Sequence, residues 1–410
     1  MHDQDANPIY EASPRSPRTQ TELLPLLRSH LPYSLPLLRR IQHEIAHSSP
    51  TAAILTTFPG SAPAAASSHP SGAETRPALV HIPESAPVPI PVSVPVPGPR
   101  VPDPTQDDVS PWLMAYVDLS AGRETQIVLY SSLERASFQT PIPTDNSTDN
   151  SIPISTLPQS TPKDLLTLRT QFLSLLKHIK THLLPPYLST VPPPPPKDDH
   201  QLAPPPPTAF LIGNLHTGVF SSLLGDKTNY PDADLETGFI DGIQVHRFDR
   251  APYVKYLFSQ EGIFTQGKTI NGFHFSDDNV KRSDLALVRA RTVIPRSEET
   301  LSKLRSCAVY RDLPLNSTSI NSEEKKEEKP VAWAFLGTDG SLATLHVEEE
   351  VRGLGLAGFV GREVMRRGVE DVGDGGVHAN VAMGNQASRR VMEKLGGEVG
   401  WTVTWTVVEV

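Results

Sequence analysis

The chain has 410 residues, 37 basic and 46 acidic side chains, a formal net charge of −9 and a pI near 5.9; the length suggests two or three domains, and the charge argues against a nucleic-acid or anionic-membrane partner. A single cysteine, Cys307, excludes an intramolecular disulfide and a cysteine-based zinc site and fits a reducing compartment, and no metal is expected. No apolar run approaches the roughly 20 residues of a membrane helix, and the N-terminus lacks the marks of a signal or transit peptide, so a soluble cytoplasmic protein is expected in preference to a mitochondrial one.

Residues 1–20 read as a disordered tail. From Thr21 to His47 leucines recur at helical spacing, but Pro25, Pro32 and Pro36 divide the run into two short helices. Residues 57–107 are rich in Pro, Ala and Ser and favour extended polyproline geometry. Trp112–Leu119 and Gln126–Leu133 read as strands with a turn at Ala121-Gly122. A polar, proline-punctuated stretch, 137–162, precedes an amphipathic helix whose Leu165, Leu168, Phe172, Leu175, Leu176, Ile179 and Leu183 share one face. A second proline block, 191–207, leads to a buried strand, AFLIGNL. Tyr253 to Gln260 reads as helical. The proline blocks read as solvated insertions; SH3 or WW modules are the partners they would fit.

Leu285, Leu287 and Val288 with Arg289–Thr292 read as a strand, and Pro295 starts a helix through Glu298, Leu301 and Leu304. Cys307–Tyr310 is a strand, residues 322–329 are a solvated charge run, and Val331–Leu336 and Ser341–Val347 form a hairpin around Thr338-Asp339-Gly340. A helix spans about Leu354–Val369, a strand Val377–Ala382, and a helix Asn385–Leu395 stops at Gly396-Gly397. The chain then alternates as WTVTWTVV.

The informative segment is VRGLGLAG, residues 351–358. Gly353, Gly355 and Gly358 match G-x-G-x-x-G, but a dinucleotide site needs a strand running straight into the glycines and a βαβ unit after them. Here EEEVR intervenes, which leaves a nicotinamide oxidoreductase as a lesser alternative. Arg352-x-x-Gly355-x-Ala357 opening a helix instead suits a pyrophosphate: glycine lets it approach, amides point at it and the helix dipole attracts it. Asn385 is a natural N-cap for the next helix.

Together these pieces resemble the GNAT superfamily of acyl-CoA N-acyltransferases. Its Arg/Gln-x-x-Gly-x-Gly/Ala loop is matched by Arg352, Gly355 and Ala357, and its N-x-x-A…EKLG ending by Asn385, Ser388 and EKLGG. PVAWAFLGTDGSL before RGLGLA looks most like the glycine N-acyltransferase-like branch. The resemblance implies an α/β (α+β) fold: a mixed, mostly antiparallel sheet flanked by helices over 283–410. A divergent α/β domain over 21–280, open to a GNAT-like reading, would precede it.

The resemblance also implies the site. The strands Ser341–Val347 and Val377–Ala382 would splay, with backbone groups of His346 and Val347 pairing with pantetheine. The amides of Gly353, Leu354, Gly355, Leu356, Ala357 and Gly358 would hold the diphosphate of acetyl-CoA or another acyl-CoA. Asn385 and Ser388 would lie along the pantetheine, and the amine of a small molecule or amino acid would attack the thioester directly. Two positions depart from the pattern. Ser341 stands where glycine N-acyltransferases carry a glutamate, and Met392 where many relatives carry a tyrosine. His346 and Ser341 are therefore the catalytic candidates, with His378 and Glu348 to Glu350 as weaker ones. An acyl-CoA-binding regulatory module without turnover is the alternative function.

Overall fold

The computed structural model describes residues 7–60, 110–139, 153–190, 205–225, 230–231, 239–240, 242–264, 270–292, 294, 296–312, 329–372 and 376–410. Most of the three proline-rich stretches, the SH3 or WW ligands expected in them and nearly all of the charge run lie outside the described residues. Met1–Gly60 with Pro111–Val410 forms one compact unit.

The N-terminal lobe begins with β1 (Tyr10–Ala12), α1 (Leu24–Ser29), α2 (Leu35–Ala46) and β2 (Ala52–Thr56). Residues 7–20, expected as a disordered tail, are therefore part of the fold: Tyr10 to Ala12 pair antiparallel with Thr56 to Ile54. Pro36 occupies the first turn of α2, where a missing N–H costs nothing, whereas Pro25 follows directly on a π-helical turn, Thr19–Leu23, that runs into α1. β3 (Leu113–Asp118) and β4 (Ile127–Ser131) follow. Then come α3 (Pro162–His178), α4 (Leu184–Thr190), β5 (Phe210–His216), α5 (Thr217–Leu223), β6 (Phe239–Ile240), β7 (Ile243–Phe248) and β8 (Tyr253–Phe258). The expected helix at Tyr253–Gln260 is thus a strand. Val254 and Lys255 are both fully buried, so the run has no solvent face to give it a period of two.

The C-terminal lobe contains α6 (Gln260–Phe264), β9 (Phe273–Phe275), α7 (Leu285–Arg291), α8 (Glu298–Lys303), β10 (Ser306–Arg311), β11 (Ala332–Leu336) and β12 (Leu342–Val347). It continues with α9 (Leu356–Val372), β13 (Val377–Ala382), α10 (Gln386–Lys394) and β14 (Glu398–Glu409). The expected strand at Leu285–Thr292 is the helix α7. It packs Leu285 and Val288 against Trp333 and Phe335 of β11. β9, which precedes the expected boundary at 283, pairs with β10 and so belongs to this lobe's sheet.

Two sheets result. One runs β1-β2-β3-β4-β5-β14-β7-β6, with β8 pairing β13 and β14; the other runs β12-β11-β10-β9. All strand ladders are antiparallel except β4–β5, which pair in parallel only at Ile127–Ile212. Val360, Val364 and Met365 of α9 bury one face of the second sheet, and α7 and α8 bury the other.

The lobes exchange strands. β8 lies between β13 and β14 in the C-terminal lobe. The first half of β14 pairs with β8, whereas its second half pairs with β5 and β7 of the N-terminal lobe. Threonines seal the crossing. Thr402 Oγ1 accepts from Ser155 N–H at 2.8 Å and lies 2.7 Å from Thr217 Oγ1.

Candidate functional site

The site is built where β12 and β13 part. They meet through one parallel bridge, Ser341 to His378, and beyond it each strand belongs to a different sheet. β12 is an edge strand, so one side of its backbone is unpaired. Its register against β11 slips between the pairs Phe335–Ala343 and Trp333–His346. Thr344 and Leu345 thus oppose Ala334 alone, a bulge that re-aims the strand, and Thr344 takes a left-handed φ of 51°.

Three buried polar atoms on this lip have no hydrogen-bond partner among the described residues: Trp333 Nε1, Thr344 Oγ1 and His346 Nε2. Leaving such a group unpaired costs about 1–3 kcal/mol, so their clustering marks a place shaped for a polar ligand. His346 stacks on Trp333, and its Nε2 stands 3.7 Å from Glu348 Oε2. Burial lowers its proton affinity and Glu348 offsets only part of that, which leaves a neutral imidazole at pH 7. Glu348, one of the weaker catalytic candidates, is largely covered and accepts a charge-assisted bond from Arg291 Nε at 3.0 Å.

The glycine loop stands beyond the C-terminal end of β12, at the open end of this gap. A 3-10 turn, Glu349–Val351, leads into it, and α9 begins at Leu356. Gly353 and Gly355 have φ of 83° and 86°, a conformation that costs other residues about 1–2 kcal/mol. A Cβ at Gly353 or Gly358 would meet nothing within 4 Å, and at Gly355 only Ile270 Cδ1 at 3.9 Å. The loop is therefore open rather than packed. The first amides of α9 lack intrahelical acceptors; Phe359 N–H, bonded to Gly355 O at 3.1 Å, is the first recorded with one. Leu354 is exposed, whereas Leu356 packs in the core. Arg352 is exposed and ties the loop to the strand, Nε donating to Val347 O at 3.1 Å and Nη1 to Glu349 Oε1 at 3.1 Å. Asn385 and Ser388 hold each other: Asn385 Oδ1 caps α10 by accepting from Ser388 N–H at 3.0 Å.

The two catalytic candidates are not brought together. Ser341 and His346 sit at opposite ends of β12, roughly 15 Å apart along an extended strand. Ser341 is also bound into the hairpin turn, with its N–H and Oγ–H donating to Asp339 Oδ1 at 3.1 and 2.6 Å. The Ser341 hydroxyl proton is thus committed to the Asp339 carboxylate. Met392 is buried, and burial pushes the Cys307 thiol up to about 12, so neither donates or attacks here.

Sequence reasoning missed Lys255, Asp339, Asn214 and Asn380. Lys255 is fully buried on β8. Its three ammonium protons meet Asn214 Oδ1 at 2.6 Å, Asn380 Oδ1 at 2.8 Å and His378 Nδ1 at 3.3 Å. Burial lowers its pKa to about 7, against the pull of Asp339 and Glu134. His378 Nε2–H donates to Asp339 O at 3.0 Å; burial first, then Lys255, keeps this imidazole neutral. Burial alone would raise the Asp339 carboxyl. The two bonds from Ser341 and the Lys255 ammonium outweigh it and hold it below the ordinary value. Asn214, at φ 58°, adds a bond from Nδ2 to Asp339 Oδ2 at 3.2 Å. The only sequence signal was a lysine inside an apolar run, YVKYLF.

A separate cleft of about 310 Å³ lies between α2 and the β11–β12 turn, bordered by Arg39, His43, Lys303, Arg305, Gly340 and Gly376. Among the described residues no helix is long and apolar enough to cross a membrane, and no three His, Cys, Asp or Glu side chains are grouped to hold a metal.

Comparison with known proteins places the chain. Residues 6–256 match the family model described as the acyl-CoA N-acyltransferase verG N-terminal domain, and residues 322–406 match that of the FR47-like proteins. Neither model singles out the glycine N-acyltransferase-like branch. No curated protein sequence matches. Among solved structures, a Drosophila protein is 12% identical with a TM-score of 0.48, over 98% of each chain. A tandem GNAT protein from the clavulanic acid biosynthesis pathway is 9% identical with a TM-score of 0.39, over 98% of this chain and 97% of that one. A GCN5-related N-acetyltransferase from Kribbella flavida is 12% identical with a TM-score of 0.29, over 49% of this chain and 67% of that one. These structural likenesses are too distant to bear on what the chain acts on. With well over half of its residues matched by the first model alone, the chain belongs to the GNAT superfamily, in the verG-type acyl-CoA N-acyltransferase family.

Proposed function

We propose that this protein transfers an acyl group, in the simplest case acetyl, from coenzyme A to the amine of a small molecule or amino acid. The observation that carries the reading is the gap between β12 and β13, with the open glycine loop beyond one end of β12 and three unpartnered buried polar atoms on its lip.

The residues suit an acyl-CoA. The amides from Gly353 to Gly358, with the positive end of the α9 dipole, would hold the diphosphate. The free edge of β12 around His346 and Val347 would pair with the pantetheine amides as an added strand does. Asn385 and Ser388, at the start of α10, which follows β13 in the chain, would lie along the pantetheine. Acyl-CoA supplies the activated thioester; the chain supplies position and one proton acceptor. His346, neutral at pH 7, is the group able to take a proton from an attacking amine. Such catalysis rests mainly on orientation.

A second reading, a CoA-binding module without turnover, is favoured by Met392 and by the Ser341 hydroxyl being spent on Asp339. Calorimetric titration with CoA, followed by thiol release from acetyl-CoA across a panel of amines, separates the two. Affinity with thiol release supports transfer, affinity without it on any amine supports the module, and absence of CoA affinity overturns both.

A further inference from the structure

β12 and β13 run parallel from the Ser341–His378 bridge, so two residues further on Ala343 lies level with Asn380. That is the level at which the β12 bulge begins. Asn380 therefore stands across the gap from the lip that carries Thr344, Trp333 and His346. It is half-buried, and its carboxamide is not free to flip. Lys255, directly opposite on β8, donates to Oδ1 at 2.8 Å. With the oxygen committed to an ammonium, Nδ2 carries the donor protons, and no bond from it is recorded among the described residues. A cation bonded to the carbonyl of a carboxamide also polarises the amide and strengthens its N–H groups as donors.

The lysine has no other exposed duty. It is fully buried, its three protons are spent on Asn214, Asn380 and His378, and the indole of Trp401 lies 5.6 Å from Nζ. Its counter-charge, Asp339, is held one step away through Asn214 and His378 rather than in direct contact. A buried cation is costly unless paired and fully bonded. Here it is placed so that one of its bonds fixes a side chain at the parting of the strands.

We infer that Asn380 Nδ2 donates to the thioester carbonyl oxygen of the bound acyl group, and that Lys255 is the positioning residue that orients it. This rests on the acyl-CoA reading above and deepens it, because it assigns the group that distinguishes an acylated from a free thiol. A donor aimed at that oxygen bonds it more strongly as negative charge develops there.

The test compares binding of acetyl-CoA with binding of CoA by calorimetry in the full chain and in Asn380→Ala, Asn380→Asp and Lys255→Met. The parent chain is expected to bind acetyl-CoA roughly five- to tenfold more tightly than CoA. Asn380→Ala should abolish that preference while CoA affinity stays the same, and Asn380→Asp should reverse it, because a carboxylate cannot donate. Lys255→Met, where it folds, should behave as Asn380→Ala; where it does not, the two Asn380 variants decide. A preference for acetyl-CoA that survives Asn380→Ala, or no preference in the parent chain, overturns the assignment and leaves the acyl-CoA reading standing. Failure of the parent chain to bind CoA at all overturns both.

Discussion

The His346 imidazole lies on the Trp333 indole with ring centroids 4.6 Å apart and planes inclined by 19°. The stack fixes the histidine on the side of the sheet covered by α7 and α8, away from α9. Burial depresses its pKa below the ordinary 6.5, so a base in this position is ready above that range and titrates out below it. Thiol release from acetyl-CoA should accordingly persist through the ordinary imidazole range and decline only at pH values below it. His346→Ala should lower kcat by about 10²–10⁴ and remove that acid limb. A pH–rate profile left unaltered by the substitution would clear His346 of the role.

Gly358 offers a test of the phosphate cradle that leaves folding alone. An added Cβ meets nothing within 4 Å there, and a carboxylate in the first turn suits the helix dipole. Gly358→Glu should keep the melting temperature of the parent chain and weaken CoA binding by about tenfold or more through repulsion of the diphosphate. Equal CoA affinity in the two proteins would remove the loop from the binding site.

Acid sensitivity should come from histidines buried in neutral form. His216 is fully enclosed, and burial followed by the Lys255 charge drops its pKa to about 3; His378 is depressed for the same reasons. Between pH 6.5 and 3 the unfolded chain binds a proton at each site that the folded chain refuses. Stability is therefore intact above about 6.5 and is lost as the pH falls, by roughly 1.4 kcal/mol per pH unit for each such histidine. His216→Asn can retain the bond that His216 Nδ1 accepts from Gly218 N–H. Urea unfolding at pH 7, 6 and 5 should show a shallower slope for that variant by about one histidine's share. Parallel slopes would contradict the assignment.

The threonine pair at the lobe crossing should show coupling. Thr402→Val leaves Thr217 Oγ1 and the Ser155 amide each short of a partner, and should cost about 1–3 kcal/mol. Thr217→Val should cost a similar amount. The double variant should cost less than the sum, because either single substitution already removes the bond between the two hydroxyls, while Thr217 Oγ1 also bonds Ser155 O at 2.6 Å. Strict additivity in a denaturant-unfolding cycle would show that the two hydroxyls do not share a bond.

What the sequence made legible was whatever keeps one face to solvent or has local turn chemistry. The β11–β12 hairpin, the glycine loop, α9 and the Asn385-capped α10 all emerged within about three residues of their expected bounds. β8 was misread because burial on both sides erased the alternation that announces a strand. α7 was misread because its short run of Leu, Ala and Val fits either periodicity. Lys255 escaped because lysine in a strand ordinarily signals solvent, and its partners Asn214, Asp339 and Asn380 are far from it in sequence. Such a cluster exists only after the strands have crossed between lobes, and no local pattern encodes that crossing.

The exchange of β8 and β14 also governs how the molecule must assemble. The slot beside β5 is filled by residues far downstream of it, from Val403 opposite His216 to Val408 opposite Phe210. Until they arrive, the early sheet presents bare edges that invite wrong pairing. Neither half can then mature as an independent folding unit; formation should be slow, all-or-none and dependent on protection of the nascent chain.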